Sequence, residues 1–203
     1  MKKIKNILIS CLKKIKSFFP WYRNLYRGKA WYTKTLIGIA SCIVAFIVYL
    51  GMVDINFLWL FGKSPGFYTI MNPETHEASQ IYSSDGELIG KFFNENRTPV
   101  EYEEVNPAFF KALVDTEDER FYKHHGIDYP GLVGAAKDAL LHHDARGAST
   151  ITQQLAKNMF RVRTDYSTGL LGYIPGVRML IMKSKEWIIA TKLEITHSKK
   201  EII

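Results

Sequence analysis

The 203 residues carry 27 Lys and Arg against 20 Asp and Glu, a net charge of +7, and 47% of them are hydrophobic. That composition excludes a disordered acidic tail, a collagen-like chain and a small disulfide scaffold. A basic total raises nucleic acid as a partner, but the distribution of charge argues against it: residues 1–34 hold ten Lys or Arg and no Asp or Glu, while the other 169 hold 17 basic and 20 acidic side chains.

Residues 1–34 therefore read as a basic arm. Thr35 to Val53 follows with 19 uncharged residues, close to the ~20 that a helix needs to cross a ~30 Å hydrocarbon core. The segment is predicted to be a single transmembrane anchor over 35–53. The positive-inside bias puts the N-terminus in the cytoplasm and residues 54–203 on the outer face of the plasma (inner) membrane. Trp31, Tyr32, Phe57, Trp59 and Phe61 sit where aromatic rings prefer the headgroup level. A cleavable signal peptide has a shorter apolar core ending in small residues, whereas Asp54-Ile55-Asn56-Phe57 follows here. Cys11 falls in the arm and Cys42 in the anchor, so the exported part does not depend on disulfides.

Residues 54–79 are Gly-, Pro- and polar-rich towards their end and read as a juxtamembrane linker. From Gln80 to Phe93, Asp85-Gly86 between apolar runs predicts a β-hairpin. Helical patterning then takes over. Asn106-Pro107 is a helix start, with Ala108, Phe109, Ala112, Leu113 and Thr116 at helical spacing. A second helix is predicted over Pro130–Leu141 with Leu132, Val133, Ala136, Ala139 and Leu140 on one face. A third starts at Ser149 or Thr150, the latter spaced for a capping box with Gln153, and runs to about Met159. Residues 169–175 break the pattern, and a fourth helix over about 177–196 turns Ile181, Ile188, Ile189 and Leu193 inward. The exported part is mainly α with a short β element. Its charge is divided: residues 54–145 carry 7 basic and 16 acidic groups, residues 146–200 carry 10 and 3. A substrate bearing both hydroxyls and phosphates suits such a division, as do two plain solvated faces.

Three clusters carry chemistry. Glu117-Asp118-Glu119 crowds carboxylates into one turn beside Phe121 and Tyr122, a setting that suits a general base and, on these residues alone, equally a plain solvated acidic helix end. Gly147 to Asn158 is dense in hydroxyls and amides at a helix start, which favours an anion, with Lys157 two turns on. Lys183-Ser184-Lys185-Glu186 opens the face shared by Glu186, Ala190 and Glu194. The adjacent pairs His124-His125 and His142-His143 lack the spacing of a helical zinc site.

Together these segments resemble one family. Glu117-Asp118-x-x-Phe121-Tyr122-x-His124-x-Gly126-Ile127-Asp128 is similar to the first signature motif of the family 51 glycosyltransferases. These form the peptidoglycan polymerase domain of class A penicillin-binding proteins and the monofunctional transglycosylases. Gly147–Asn158 is similar to the second motif, and Lys183-x-x-Glu186 with Leu193-Glu194 and Ser198-Lys199 to the third and the approach to the fourth. The resemblance implies a lysozyme-like α-helical lobe over 80–203 that polymerises lipid II with inversion and releases undecaprenyl diphosphate. It implies Glu117 as general base, Asp118 beside it, Ser149, Thr150 and Gln154 lining the sugar and phosphate cleft, Lys157 and Lys183 on the diphosphate, and Glu186 as the second essential carboxylate.

The partners implied are lipid II, the nascent glycan strand, the membrane and other cell-wall synthesis proteins, with no nucleic acid. No cofactor is implied apart from a divalent cation, magnesium or manganese, with the diphosphate. Two departures stand out. Met182-Lys183 replaces the usual Arg-Lys of the third motif, after an expanded segment over 165–178. The chain also ends at Glu201-Ile202-Ile203, inside what resembles the fourth motif, so a C-terminally truncated domain is expected. The alternatives are a non-catalytic, membrane-anchored fragment that binds lipid II, and a glycan-cleaving enzyme that shares the paired carboxylates. Hydrolysis yields no diphosphate for the basic half to meet.

Overall fold

The computed structural model describes residues 2–73, 79–92, 100–141, 147–163 and 168–203. The chain divides into two units, residues 1–51 and 52–203.

In the first unit, α1 (Lys2–Tyr26) and α2 (Trp31–Asp54, whose last turn belongs to the second unit) are joined by a short turn with Gly28 at φ 71°. Pro20 lies inside α1, where its missing N–H removes one helical hydrogen bond. Tyr22 Oη donates to Ser41 Oγ of α2 at 3.1 Å, and Ser41 Oγ in turn donates to the Ile37 carbonyl at 2.7 Å. The α2 hydroxyl is thus satisfied within its own helix, as a bilayer requires. α2 is long and apolar enough to cross a membrane, with a mean hydropathy of 2.6 and only 6% of that stretch buried. A core helix of a soluble domain would be mostly covered, and this one is not.

The second unit is mainly α. Short α3 (Phe67–Met71) lies in the stretch read as a linker, and its Ile70 is fully buried. β1 (Ser79–Tyr82) and β2 (Leu88–Phe92) form the antiparallel hairpin, with Gln80 opposite Lys91 and a bulge between Ile81 and Tyr82. Gly86 takes φ 85° at its turn. Phe93, the last residue of the predicted hairpin, lies outside the described residues, as do His142 and His143. α4 (Pro107–Glu117) starts as predicted, with Asn106 Oδ1 accepting from the Ala108 N–H at 2.9 Å. α5 spans Tyr129–Leu141, α6 Ile151–Met159, α7 Val177–Thr196 and α8 Lys199–Ile202.

Two apolar clusters hold these elements. Ile70 of α3, Ala156 and Phe160 at α6 and Ile189, Ala190 and Leu193 of α7 form one; Val114 of α4, Phe121, Ile151 and Ile202 form the other. Leu155 packs against both, so α6 is the shared wall. One sequence expectation changes here: Ile188 is only half-buried on α7. On α5 no described side chain is buried, and Val133 and Leu140 of its apolar face are 69% and 80% exposed. Helical spacing identifies an apolar face but not what covers it.

Candidate active site

The C-terminus of α4, the N-terminus of α6 and the first half of α7 meet around a set of polar groups. Glu117 closes α4, and Asp118 is its C-cap. Glu117 is exposed, and its Oε2 accepts from Gln154 Nε2 of α6 at 2.7 Å. Asp118 points the other way and is 7% exposed. Its Oδ2 accepts from the Ile151 N–H at 3.0 Å, and both oxygens accept from His124 Nε2 at 3.0 Å. At the start of α6 this side chain thus satisfies an otherwise unpaired helical N–H.

Thr150 caps α6, its Oγ1 accepting from the Gln153 N–H at 3.2 Å and donating to the Gly126 carbonyl at 2.8 Å. The predicted capping box is half formed. The Gln153 side chain turns away from Thr150, donates to Gly126 O at 2.9 Å, and accepts from Lys183 Nζ at 2.9 Å. Gly126 makes this possible: it has φ +84°, and a Cβ there would lie 2.9 Å from the Ala190 carbonyl carbon and oxygen of α7. No residue but glycine fits so close an approach.

On α7, Lys183 Nζ donates to Ser149 Oγ at 2.9 Å, to Gln153 and to Glu186 Oε2 at 3.0 Å. Glu186 is 2% exposed, and its Oε1 accepts from Arg163 Nε at 2.9 Å. A buried carboxylate held by two cations is compensated for its lost hydration. Arg163 thus stands on Glu186, in a segment whose motif lacks its usual arginine, whereas Arg178 is exposed on the first turn of α7. Lys157 is half-buried in the last turn of α6, three and four residues on from Gln154 and Gln153 and so on their side of the helix. Lys185 is 1% exposed; its Nζ donates to the Lys63 carbonyl at 2.6 Å and the Gly62 carbonyl at 3.2 Å, and burial pushes its ammonium down to about 8.

A cavity of about 350 Å³ opens between the end of α4, one flank of α5 and residues 147–150; Glu117, Asp118, Ser149 and Thr150 line it. Its floor is braced by Arg120, which donates from Nε and Nη2 to Asp128, the closest approach being 2.6 Å. The guanidinium holds the Asp128 carboxyl below the usual carboxylate range. Gly131 leaves room for that pair, since a Cβ would meet Asp128 Oδ2 at 2.3 Å.

Among the described residues no three His, Cys, Asp or Glu side chains converge, and Glu186 already accepts from two side-chain cations. Fixed positive charge beside Glu186 comes from Lys183 and Arg163.

The sequence motifs named Glu117, Ser149, Gln154, Lys183 and Glu186, and these are joined through the α6 start. They did not reveal Gln153 as the bridge between Gly126 and Lys183, or His124 as the partner of Asp118. The i, i+3 spacing from Thr150 marked Gln153 only as a capping residue.

Residues 85–203 match the family model described as Transglycosylase. Penicillin-binding protein 1A of Escherichia coli (strain K12) is 34% identical over 173 residues, 85% of this chain and 19% of that protein. Penicillin-binding protein 1A of Haemophilus influenzae is 36% identical over 137 residues, 67% of this chain and 14% of that protein. Penicillin-binding protein 1F of Bacillus subtilis (strain 168) is 34% identical over 168 residues, 81% and 21% respectively. The chain spans about a fifth or less of the length of these relatives. With the first three sequence motifs joined in one site and the family model covering more than half its residues, the chain belongs to the transglycosylase family.

Proposed function

We propose that this domain is a peptidoglycan glycosyltransferase that extends glycan strands from lipid II, with residues 54–203 on the outer face of the membrane. The acceptor sugar presents its 4-hydroxyl to Glu117. The carboxylate takes that proton as the oxygen attacks the anomeric carbon of the donor strand from the face opposite the leaving group. The new C–O bond forms as the bond to the diphosphate breaks, and undecaprenyl diphosphate departs with the electron pair. The configuration at the anomeric carbon inverts.

The other residues act on charge and position. Gln154, bonded to Glu117 Oε2, fixes the carboxylate's orientation. Lys183, Arg163 and Lys157 supply fixed positive charge for the departing diphosphate, where preorganised cations are worth most. Glu186 holds Lys183 and Arg163 in place, and Ser149 and Thr150 border the sugar side of the cavity. Asp118 acts through α6 as a positioning residue.

The observation that carries the reading is the single hydrogen-bonded frame in which Glu117 and Lys183 are both tied to α6 or the residues before it, through Gln154, Gln153 and Ser149. A base and a cation that must act on opposite ends of one reaction are thereby held by one helix start. The reading is tested by lipid II polymerisation in detergent: Glu117→Gln is expected to lose chain growth and keep lipid II binding. Binding without growth in the parent protein would favour the non-catalytic reading instead.

A further inference from the structure

The polymerase reading leaves α1 without a role, and α1 has a distinct chemistry. It is 25 residues long, helical from Lys2 to Tyr26. On its second half, Phe18, Tyr22 and Leu25 share one face at helical spacing with Phe19 and Tyr26 beside it, while Lys13, Lys16 and Asn24 fall on the opposite side and Lys14 and Trp21 lie along one border between them. The sequence continues the apolar spacing backwards with isoleucine or leucine at 4, 7, 8, 12 and 15. Phe18, Phe19 and Trp21 pack on one another's rings and remain 51%, 68% and 57% exposed.

Neither a spanning helix nor a nucleic-acid arm explains this pattern. Lys13, Lys14 and Lys16 at the middle of α1 would each cost about 3 kcal/mol at a bilayer centre. An arm for nucleic acid needs the cations but has no use for a continuous apolar face. An amphipathic helix with lysines on one side and large aromatic side chains on the other fits the plane of a membrane interface.

The elbow between α1 and α2 sharpens the choice of lipid. Arg23, Tyr26, Arg27 and Lys34 line a concavity of about 530 Å³. Beside it, Phe19, Pro20 and Tyr22 line another of about 470 Å³ that shares Arg23 and Tyr26. Cations next to an apolar hollow match a phosphate headgroup and the start of its acyl chains. Arginine presents paired donors to a phosphate. No Asp or Glu occurs in residues 1–34 to compete for these cations.

We infer that α1 is an interfacial helix that docks on anionic phospholipid at the face of the membrane where α2 enters, with a headgroup seated in the Arg23–Arg27–Lys34 elbow. Several cations near a charged surface contribute about 1 kcal/mol each, enough together to hold the helix down. This inference rests on α2 crossing the bilayer and not on the polymerase reading.

The test is amide hydrogen exchange of the full chain in nanodiscs of phosphatidylglycerol with phosphatidylcholine, against discs of phosphatidylcholine alone. Exchange across residues 2–26 is expected to slow by about tenfold or more in the anionic discs, and Lys13→Gln/Lys14→Gln/Lys16→Gln to remove most of that difference. Arg23→Gln/Arg27→Gln is expected to reduce it around the elbow while α2 stays protected. Equal exchange in the two discs, fast or slow, would overturn the inference. So would slowing by a short DNA duplex in phosphatidylcholine discs with no effect of phosphatidylglycerol.

Discussion

Asp118 and Glu117 are neighbours in sequence and both border the cavity, yet Asp118 is buried against the His124 ring and the α6 start while Glu117 is exposed. Of two consecutive carboxylates, one is thus engaged within the fold and the other is open to a ligand. Replacing Asp118 by Ala leaves the Ile151 N–H and His124 Nε2 without their acceptor. Because a buried, hydrogen-bonded charge is lost, unfolding stability should fall by about 3 kcal/mol. Chemical denaturation in detergent measures this, and a loss below about 1 kcal/mol would contradict the role assigned to the pair.

Lys183 is the common donor to Ser149, Gln153 and Glu186. If Lys183 is the fixed cation proposed for the leaving group, Lys183→Met should lower polymerisation by about a hundredfold or more. Lys183→Arg should recover part of it. Undiminished turnover in the Met variant would remove the residue from the diphosphate site.

Gly126→Ala places a Cβ 2.9 Å from the Ala190 backbone at a φ of +84°. α7 has to move away from the loop, and Thr150 and Gln153 lose their shared acceptor. The expected cost exceeds about 2 kcal/mol, seen as a lower midpoint in thermal unfolding. An unchanged midpoint would mean that the loop does not hold α7 as described.

Lys185 gives a pH signature. Its ammonium titrates near 8 in the folded protein against 10.5 when unfolded, so between those values the unfolded chain binds more protons. The Lys185 contribution to stability therefore rises from about pH 8 to about pH 10.5, by an amount on the order of 3 kcal/mol. The stability difference between the parent and Lys185→Met, followed across that window, should show this rise. A flat difference would contradict the buried ammonium.

Elements set by local chemistry were legible in the sequence. Asn106-Pro107 starts α4, Thr150 caps α6, and Asp85-Gly86 turns the hairpin, because each depends on atoms a few residues apart. What depends on distant partners was not. Ile70 sits in a Gly- and Pro-rich stretch that reads as linker, yet it is buried with Ala156 and Ile189. The apolar spacing of α5 marks one face, and that face lies largely exposed, since periodicity does not say what an element meets. Within the site, the motifs identified the charged residues, but the connection of Lys183 to Gly126 through Gln153 needed the approach of α6 and α7.

Lipid II polymerisation by the protein and by Glu117→Gln, with lipid II binding measured on the same preparations, tests the proposed base most directly. The parent is expected to form glycan strands, and the Gln variant to bind lipid II as the parent does while forming strands at least about a hundredfold more slowly. Strand formation by Glu117→Gln at the parent rate would remove Glu117 from the role of general base.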